Sequence, residues 1–227
     1  PLTFMAGNLP TGALFDAATG NFSWTPGFDA TGNYQIIFTV SDNGSPVLSS
    51  SESVTLTVGN INRPPVLNTI GPRSINENQN LNFTVTATDP DGDTILYSAG
   101  DLPTGATFNS STGLLAWTPD FNSTGNYQII FTATDTGSPI LSDSETVTIT
   151  VGDINRPPVL NTLGAKQINE NGLLEFAVSA MDPDGDILTY SAGNLPVGAL
   201  FVEATGTFSW TPGFDSTGNY QVTFTVS

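Results

Sequence analysis

Apolar and polar side chains alternate in short segments of the chain, and threonine fills many of the polar positions. A period of two places the two kinds of side chain on opposite faces of a β-strand, which is typical of antiparallel sheets with one buried face. Segments rich in Gly, Pro, Asn and Asp separate these runs. In the central part of the chain the pattern predicts about seven strands, at residues 66–76 (split near Gly71-Pro72), 81–88, 94–99, 106–109, 113–118, 126–134 and 143–152.

Two aromatic positions indicate how these strands pack. Trp117 shares a strand face with Leu115, which predicts a core tryptophan, and a tryptophan that stacks on a sugar is the alternative. Tyr127 follows Gly125-Asn126 at the start of a strand, the position of the tyrosine corner in immunoglobulin-like sandwiches. The spacing of strands and turns therefore predicts an all-β fold of immunoglobulin-like Greek-key β-sandwiches.

The whole pattern recurs with a period of 93 residues, which the tryptophans Trp24, Trp117 and Trp210 mark. A fixed period without insertions predicts a linear array of tandem domains, and the termini are then expected to fall inside domains of a longer protein. The expected domains are the C-terminal two-thirds of a repeat at 1–62, a complete repeat at 63–155, and at 156–227 the N-terminal part of a third repeat that lacks its last strand.

Charge and composition narrow the possible functions. The chain has 21 acidic and 4 basic residues, a formal net charge of −17, and neither Cys nor His. Nucleic acids and anionic membranes attract clustered Lys and Arg, so neither is an expected partner, and no apolar run in this fragment suggests membrane insertion. Disulfides, thiolate sites and the commonest general base are excluded. Acidic, cysteine-free repeats rich in Thr and Asn are typical of prokaryotic surface proteins, which predicts a secreted, cell-surface location.

Carboxylates gather at the predicted strand ends of the central repeat. Carboxylates that converge without Lys or Arg neighbours repel one another, and a hard cation such as Ca²⁺, with about 6–8 oxygen ligands, removes that penalty. Two alternatives stay open for residues 89–93: a metal-free turn, since Asp and Asn favour turns by their own hydrogen bonds, or a self-contained ion loop. The carboxylates are Glu77, Asp89, Asp91, Asp93, Asp120, Asp135 and Asp153.

Three motifs recur at these strand ends. Residues 89–93 are Asp-Pro-Asp-Gly-Asp, residues 127–135 end in Ala-Thr-Asp, and residues 148–159 run from a Thr-rich strand into Asp-Ile-Asn-Arg-Pro-Pro. With these motifs the chain resembles, over its whole length, the cadherin-like "Putative Ig" repeats of prokaryotic surface proteins, relatives of the dystroglycan-type cadherin domain. The resemblance implies cadherin-like sandwiches with Ca²⁺ bound at each junction between repeats.

The resemblance also implies a ligand set at each junction. Around the linker at 60–65, the implied ligands are Asp29, Asn60, Asn62, Asp89, Asp91 and Asp135. Around the linker at 153–158, they are Glu77, Asp120 or Asn122, Asp153, the carbonyl of Asn155, Asp182 and Asp184.

The linkers depart from the family pattern in ways that lower the expected number of ions. Each is one residue shorter than the cadherin linker, and Arg63 and Arg156 stand where the family has a ligand Asp. Such an Arg could pair with a carboxylate and replace one cation. Asn60 also replaces the counterpart of Asp153, so we expect about one or two ions at each junction.

These features favour a structural function. Consecutive prolines make each linker short and stiff, so the leading hypothesis is a rod or filament segment of a large adhesion protein, stiffened by Ca²⁺. Its expected partners are neighbouring repeats and like molecules. The alternatives are an accessory module that binds a glycan or protein, for example on a host surface, and a metal-independent filament subunit that assembles by strand exchange. Carboxylates that recur with the repeat do not suggest a catalytic pair, so no enzymatic activity is predicted.

Overall fold

The computed structural model describes residues 1–227 and contains strands and turns but no helix, which confirms the predicted all-β fold. No helix is therefore present that could cross a lipid bilayer. The chain separates into two compact units, Pro1–Gly152 and Asp153–Ser227.

The first part of the first unit contains five strands. Strands β1, β4 and β5 form an antiparallel sheet with β4 in the middle, and β2 and β3 form a hairpin. Their bounds are β1 Thr3–Gly7, β2 Leu14–Asp16, β3 Asn21–Ser23, β4 Gly32–Ser41 and β5 Ser49–Val58.

The rest of the first unit is a sandwich of nine strands. One sheet has the order β10-β13-β14-β7, the other has the order β11-β12-β8, and β6 pairs with β9. Strand β14 lies antiparallel to β13 and parallel to β7. The bounds are β6 Val66–Leu67, β7 Arg73–Asn76, β8 Leu81–Thr84, β9 Ala87–Thr88, β10 Leu96–Gly100, β11 Thr107–Asn109, β12 Leu114–Trp117, β13 Gly125–Thr134 and β14 Ser142–Gly152.

The predicted strand at 81–88 divides in two because its halves pair with different partners. Its first half, β8, pairs with β12, and its second half, β9, pairs with β6. Between them the N–H of Val85 donates to the carbonyl of Gly113 at 2.9 Å. Gly113 has φ of +70°, and a Cβ there would lie 2.3 Å from the carbonyl oxygen of Val85, so only glycine fits this close approach.

The core of this sandwich lies between the two larger sheets, as the alternation predicts. Trp117 is 2% exposed, so it is the core tryptophan of the sequence prediction rather than a sugar platform. Its ring packs edge-on against Tyr127, with ring centroids 4.9 Å apart, and its indole N–H donates to the carbonyl of Thr104 at 3.1 Å. The Tyr127 hydroxyl donates to the carbonyl of Ser123 at 2.9 Å, which confirms the tyrosine corner.

The second unit contains seven shorter strands. They form a three-stranded sheet in the order β16-β20-β19 and two pairs, β15 with β17 and β18 with β21. Residues 163–169, the counterpart of the segment around β7, are not in a strand. The bounds are β15 Val159–Leu160, β16 Leu174–Ala177, β17 Ala180–Met181, β18 Tyr190–Gly193, β19 Leu200–Val202, β20 Thr207–Trp210 and β21 Thr223–Val226.

Candidate metal centre

Three chain segments of the first unit converge where the linker at 60–65 enters the second repeat. The Asp-rich loop at 89–93 follows β9, and Asp135 follows the last residue of β13. The linker is fixed beside them because Pro65 is fully buried. We call Asp89, Asp91, Asp93 and Asp135 the carboxylate cluster.

The loop at 89–93 is a turn built on its own first carboxylate. Oδ1 of Asp89 accepts hydrogen bonds from the N–H groups of Asp91 at 2.8 Å and Asp93 at 3.1 Å. Carboxylate oxygens of all three residues lie within 4.8 Å of one another. Oδ2 of Asp89, in contrast, is buried and has no hydrogen-bond partner.

Asp135 and Asn62 close the cluster from the other side. Asp135 is 2% exposed, and its Oδ1 accepts from the N–H groups of Gly137 at 3.1 Å and Leu141 at 3.0 Å. Its Oδ2 accepts from Nδ2 of Asn62 at 2.8 Å, and the same Nδ2 also donates to the carbonyl of Pro139 at 2.8 Å. Asn62 is 8% exposed, and its Oδ1 is buried without a partner.

Gly137 makes room for the amide of Asn62. A Cβ on Gly137 would lie 2.2 Å from Oδ1 of Asn62, so any other residue at position 137 would have to displace that amide. The fit between the loop after β13 and the linker is therefore specific to glycine.

Burial and the negative charges of the cluster both act on Asp93. Burial raises the pKa of the Asp93 carboxyl, and the negative charges of Asp89, Asp135 and Asp91 raise it further. Burial also opposes ionisation of Asp135, but the N–H of Leu141, the amide of Asn62 and the N–H of Gly137 outweigh it and lower its pKa. The cluster thus contains one carboxylate whose charge is poorly compensated by protein groups.

Within the carboxylate cluster, Arg63 forms its ion pair with Asp91. Its backbone N–H donates to Oδ2 of Asp91 at 2.7 Å, while Nε and Nη2 donate to Oδ1 at 2.9 Å and 2.7 Å. These hydrogen bonds are the main cause of the lowered pKa of Asp91. In the second unit, Arg156 binds Asp184 in the same way, with its backbone N–H at 2.6 Å from Oδ2 and Nε at 2.7 Å from Oδ1.

The donor set fits a hard divalent cation. A buried oxygen with no donor costs free energy, which a cation would remove, and the structure has two such oxygens, on Asp89 and Asn62. The poorly compensated carboxylate of Asp93 lies beside Asp89. Carboxylate and amide oxygens are ligands that Ca²⁺ accepts. Asp91 is less available than the others because both of its oxygens accept hydrogen bonds from Arg63.

The other predicted ligands of the first linker lie at its exposed side. The side chain of Asp29 is 92% exposed and contacts Nη2 of Arg63 at 3.3 Å. Asn60 is exposed and accepts a long hydrogen bond from Thr31 at 3.4 Å. The structure therefore brings Asn62, Asp89, Asp91 and Asp135 together and leaves these two at the margin.

The ligands predicted for the second linker belong to different environments. Glu77, in the first unit, is fully buried and accepts from the Thr124 hydroxyl at 2.6 Å. Asp120 is exposed, and hydrogen bonds from Ser123 and the N–H of Asn122 lower its pKa. In the second unit Asp153 and Asn155 are exposed, and Asp182 accepts from the N–H groups of Asp184 and Asp186 as Asp89 does in its own loop.

Asp93 is absent from the predicted ligand sets. The resemblance supplied only the first two acids of the loop, whereas the spacing Asp-Pro-Asp-Gly-Asp, considered for a self-contained ion loop, includes the third. The spacing was therefore the signal that could have identified Asp93.

A profile of the family described as "Putative Ig domain" matches residues 1–59, 64–152 and 157–227. Among curated proteins, Chitinase A of Pseudoalteromonas piscicida is 31% identical over 140 residues, which is 60% of this chain and 17% of that protein. Protocadherin gamma-A9 of Homo sapiens is 31% identical over 180 residues, which is 66% of this chain and 19% of that protein. The chain spans less than a fifth of either relative.

Solved structures with a similar fold include cadherin repeats. Mouse Cadherin-23 EC22-24 has a TM-score of 0.62 and 21% identity, covering 99% of this chain and 80% of that chain. Human CDH23 EC21-23 has a TM-score of 0.64 and 19% identity, covering 99% of this chain and 88% of that chain. At these identities the likeness shows the shared fold of tandem cadherin-like sandwiches.

Proposed function

The chain belongs to the "Putative Ig domain" family, and from this membership we propose that it is a structural segment of an extracellular adhesion protein whose repeat junctions bind Ca²⁺. Its domains follow the boundaries 1–62, 63–155 and 156–227. Neighbouring repeats, and like molecules in a rod or filament, are its partners. It has no catalytic function of its own in this proposal.

One observation carries the calcium part of the proposal. Beside the first linker, two buried oxygens, Oδ2 of Asp89 and Oδ1 of Asn62, have no hydrogen-bond donor. Asp89 belongs to the carboxylate cluster, in which burial and neighbouring negative charges raise the pKa of Asp93, and Asn62 donates through Nδ2 to Asp135 of the same cluster. A buried acceptor without a donor is costly, so the unpartnered carboxylate oxygen of Asp89, which lies beside Asp93, favours a cation.

The residues of the site have distinct tasks in this function. Asn62 belongs to the linker, whereas Asp89, Asp93 and Asp135 belong to the second repeat. A cation held by both groups would supply positive charge at the joint and oppose movement of the linker away from the loop. Pro64 and Pro65 restrict the linker itself, because each proline fixes its own φ.

The first test is a calcium titration followed residue by residue with NMR. Extracellular modules bind Ca²⁺ at about 10⁻⁴–10⁻³ M, so millimolar Ca²⁺ should shift the amide signals of residue 62 and of residues 89–93. At about 100-fold excess over Kd the site gains about 2.7 kcal/mol of stability, which a chelator should remove. Unchanged signals at these residues in 10-fold higher Ca²⁺, about 10 mM or more, would contradict the proposal.

Matched Asp→Asn variants separate the site from general charge effects. Asp93→Asn should abolish the calcium shifts at 89–93, since it removes a proposed ligand. Asp16→Asn makes the same charge change at the exposed end of β2, where the counterpart in the next repeat, Asn109, is already Asn, so its calcium response should equal that of the unaltered chain. Equal calcium responses in both variants would exclude Asp93 as a ligand.

A second candidate is an accessory module of a polysaccharide-degrading enzyme. The match to Chitinase A of Pseudoalteromonas piscicida favours it, since the chain covers only 17% of that protein. Sedimentation of the chain with insoluble chitin tests it. Depletion of the chain from solution would favour the accessory module, and full recovery in the supernatant would favour the structural segment.

A further inference from the structure

Arg63 donates hydrogen bonds to both carboxylate oxygens of one residue of the carboxylate cluster, Asp91. The side chain of Asp91 is 6% exposed, and both of its oxygens accept hydrogen bonds from Arg63. Nη2 of Arg63 also donates to the carbonyl of Pro90 at 2.7 Å. Charge-assisted hydrogen bonds of this kind are about twice as strong as neutral ones, so Asp91 is committed to the arginine.

The same guanidinium also reaches the first repeat. Its central carbon lies 5.2 Å from the ring centroid of Phe28, and Nη2 lies 3.3 Å from Oδ1 of Asp29. The ion pair with Asp29 contributes little because that carboxylate is 92% exposed. The cation–π contact is the firmer of the two. One positive charge therefore contacts groups on both sides of the linker.

The second unit repeats the arrangement around a different arginine. Nη2 of Arg156 lies 2.6 Å from Oδ1 of Asp184 and 2.8 Å from the carbonyl of Pro183. Asp184 is 7% exposed, close to the 6% of Asp91. Two linkers with the same four donor–acceptor relations indicate that the arginine is part of how each loop is built.

We propose that Arg63 is a built-in cation that takes Asp91 out of metal binding and so weakens the binding of divalent ions at the carboxylate cluster. Arginine keeps its charge at every physiological pH. Two nitrogens of its guanidinium donate to the Asp91 carboxylate, which therefore has less capacity to bind a metal ion. The positive charge also repels a divalent ion at Asp89 and Asp93, which share the loop with Asp91. The inference about affinity rests on the proposed calcium function.

The experiment is isothermal titration of the 227-residue chain with CaCl₂, with NMR to assign the response to residues 89–93. Arg63→Gln removes the side-chain charge but keeps the backbone N–H that donates to Asp91, so the loop should stay folded. Release of Asp91 and loss of one positive charge should tighten Ca²⁺ binding at this loop about tenfold.

Arg73→Gln is the matched control. Arg73 lies at the first residue of β7, with its guanidinium 5.4 Å from the ring of Phe83, so the same loss of charge occurs away from the cluster. Its Ca²⁺ affinity should equal that of the unaltered chain. Arg156→Gln is a second, independent variant, and it should tighten binding at residues 182–186 instead.

The outcomes separate this inference from the calcium function. Tighter Ca²⁺ binding at 89–93 in Arg63→Gln, together with unchanged affinity in Arg73→Gln, supports the inference. If the unaltered chain then shows no Ca²⁺ binding, only the proposed function is overturned. Equal affinities in the unaltered chain and Arg63→Gln would overturn the inference and leave the function standing. Absence of Ca²⁺ binding in all variants would overturn both.

Discussion

Three stretches of nearly the same sequence form strands of very different length. Residues 32–41 and 125–134 differ at two positions, and each forms a ten-residue strand, β4 or β13. Residues 218–227 begin with the same Gly-Asn-Tyr-Gln, yet only Thr223–Val226 is a strand, β21. The sequence of this segment alone therefore does not set the length of the strand.

The neighbouring strand accounts for the difference. β4 and β13 each pair along their full length with a following strand, β5 or β14. β21 has β18 as its only partner. A strand without a partner on one edge leaves its N–H and C=O groups without ladder hydrogen bonds. Pairing with the following strand is therefore what extends the shared sequence into ten residues.

The same neighbour organises a second segment. β7, Arg73–Asn76, is a strand because it pairs in parallel with β14. Its counterpart at 166–169 is exposed and not in a strand, and an open groove of about 1410 Å³, lined by Phe176, Trp210 and Phe224 among others, lies beside it. One central strand thus determines the conformation of both of its neighbours and covers the core between the sheets.

The largest expected effect is the loss of the buried indole. Trp117→Ala should destabilise the central sandwich by about 3–5 kcal/mol, since Trp117 is 2% exposed and fills the covered core. Trp210→Ala should cost less, because Trp210 lines the open groove and is 8% exposed. Native-state hydrogen exchange at Ile129 and Phe224 measures the two units separately. A larger loss of stability in Trp210→Ala than in Trp117→Ala would contradict the view that the core of the second unit is less well covered.

Adding a copy of the strand that follows β13 should give the second unit the strand arrangement of the central sandwich. A chain extended after Ser227 by a copy of residues 135–152 should lengthen β21 back towards Gly218 and place residues 166–169 in a strand. Slowed amide exchange at 219–222 is the readout. An extension in which Val147, Ile149 and Val151 are replaced by Ser is the control, since it lacks the apolar face that fills the groove.

The tyrosine corner gives a smaller test. Tyr127→Phe removes the hydroxyl that donates to the carbonyl of Ser123, which should cost about 1 kcal/mol. Tyr220→Phe removes the matching hydrogen bond to Ser216, but Tyr220 is 46% exposed, so water replaces the lost donor and the cost should be smaller. Chemical denaturation of both variants measures the difference, and equal costs would show that exposure does not matter here.

The smallest expected effect is on acid titration of the Asp-rich loop. Burial and the charges of Asp89, Asp135 and Asp91 raise the pKa of Asp93, so its ionisation weakens the metal-free fold above that pKa, and the weakening disappears as the pH falls. Asp91 acts in the opposite sense, because its lowered pKa gives stability that is lost in acid. Asp135→Asn should therefore lower the pKa of Asp93, measured by carboxyl NMR. Residues 182–186 have no counterpart of Asp135 within 153–227.

The alternation of apolar and polar residues predicts which face of a strand is buried, but it does not predict which strands pair. The alternation in residues 126–134 predicts which side chains are buried, and Ile129, Phe131 and Ala133 are fully buried. The division of 81–88 into β8 and β9 could not be predicted, because it depends on two different partners. Pairing between distant segments is a tertiary property that periodicity does not encode.

The candidate site shows the same limit. The motifs put Asp89, Asp91 and Asp135 at predicted strand ends, and the family resemblance implied that they belong to one ligand set. The sequence indicates that Arg63 could pair with a carboxylate, but it does not identify Asp91 as that carboxylate, because hydrogen-bond geometry is not visible in a sequence. The two unpartnered oxygens, on Asp89 and Asn62, depend on burial and could be identified only from the structure.

The recurring contact between an indole and a phenol also gives the chain three optical probes. Trp24–Tyr34, Trp117–Tyr127 and Trp210–Tyr220 have ring centroids 4.8, 4.9 and 4.8 Å apart, at interplanar angles of 76°, 77° and 72°. At such separations light absorbed by the tyrosine is passed to the tryptophan and emitted in the indole band. Single Trp→Phe variants would therefore assign each share of the emission to one repeat, so that the melting of each domain can be followed without an attached dye.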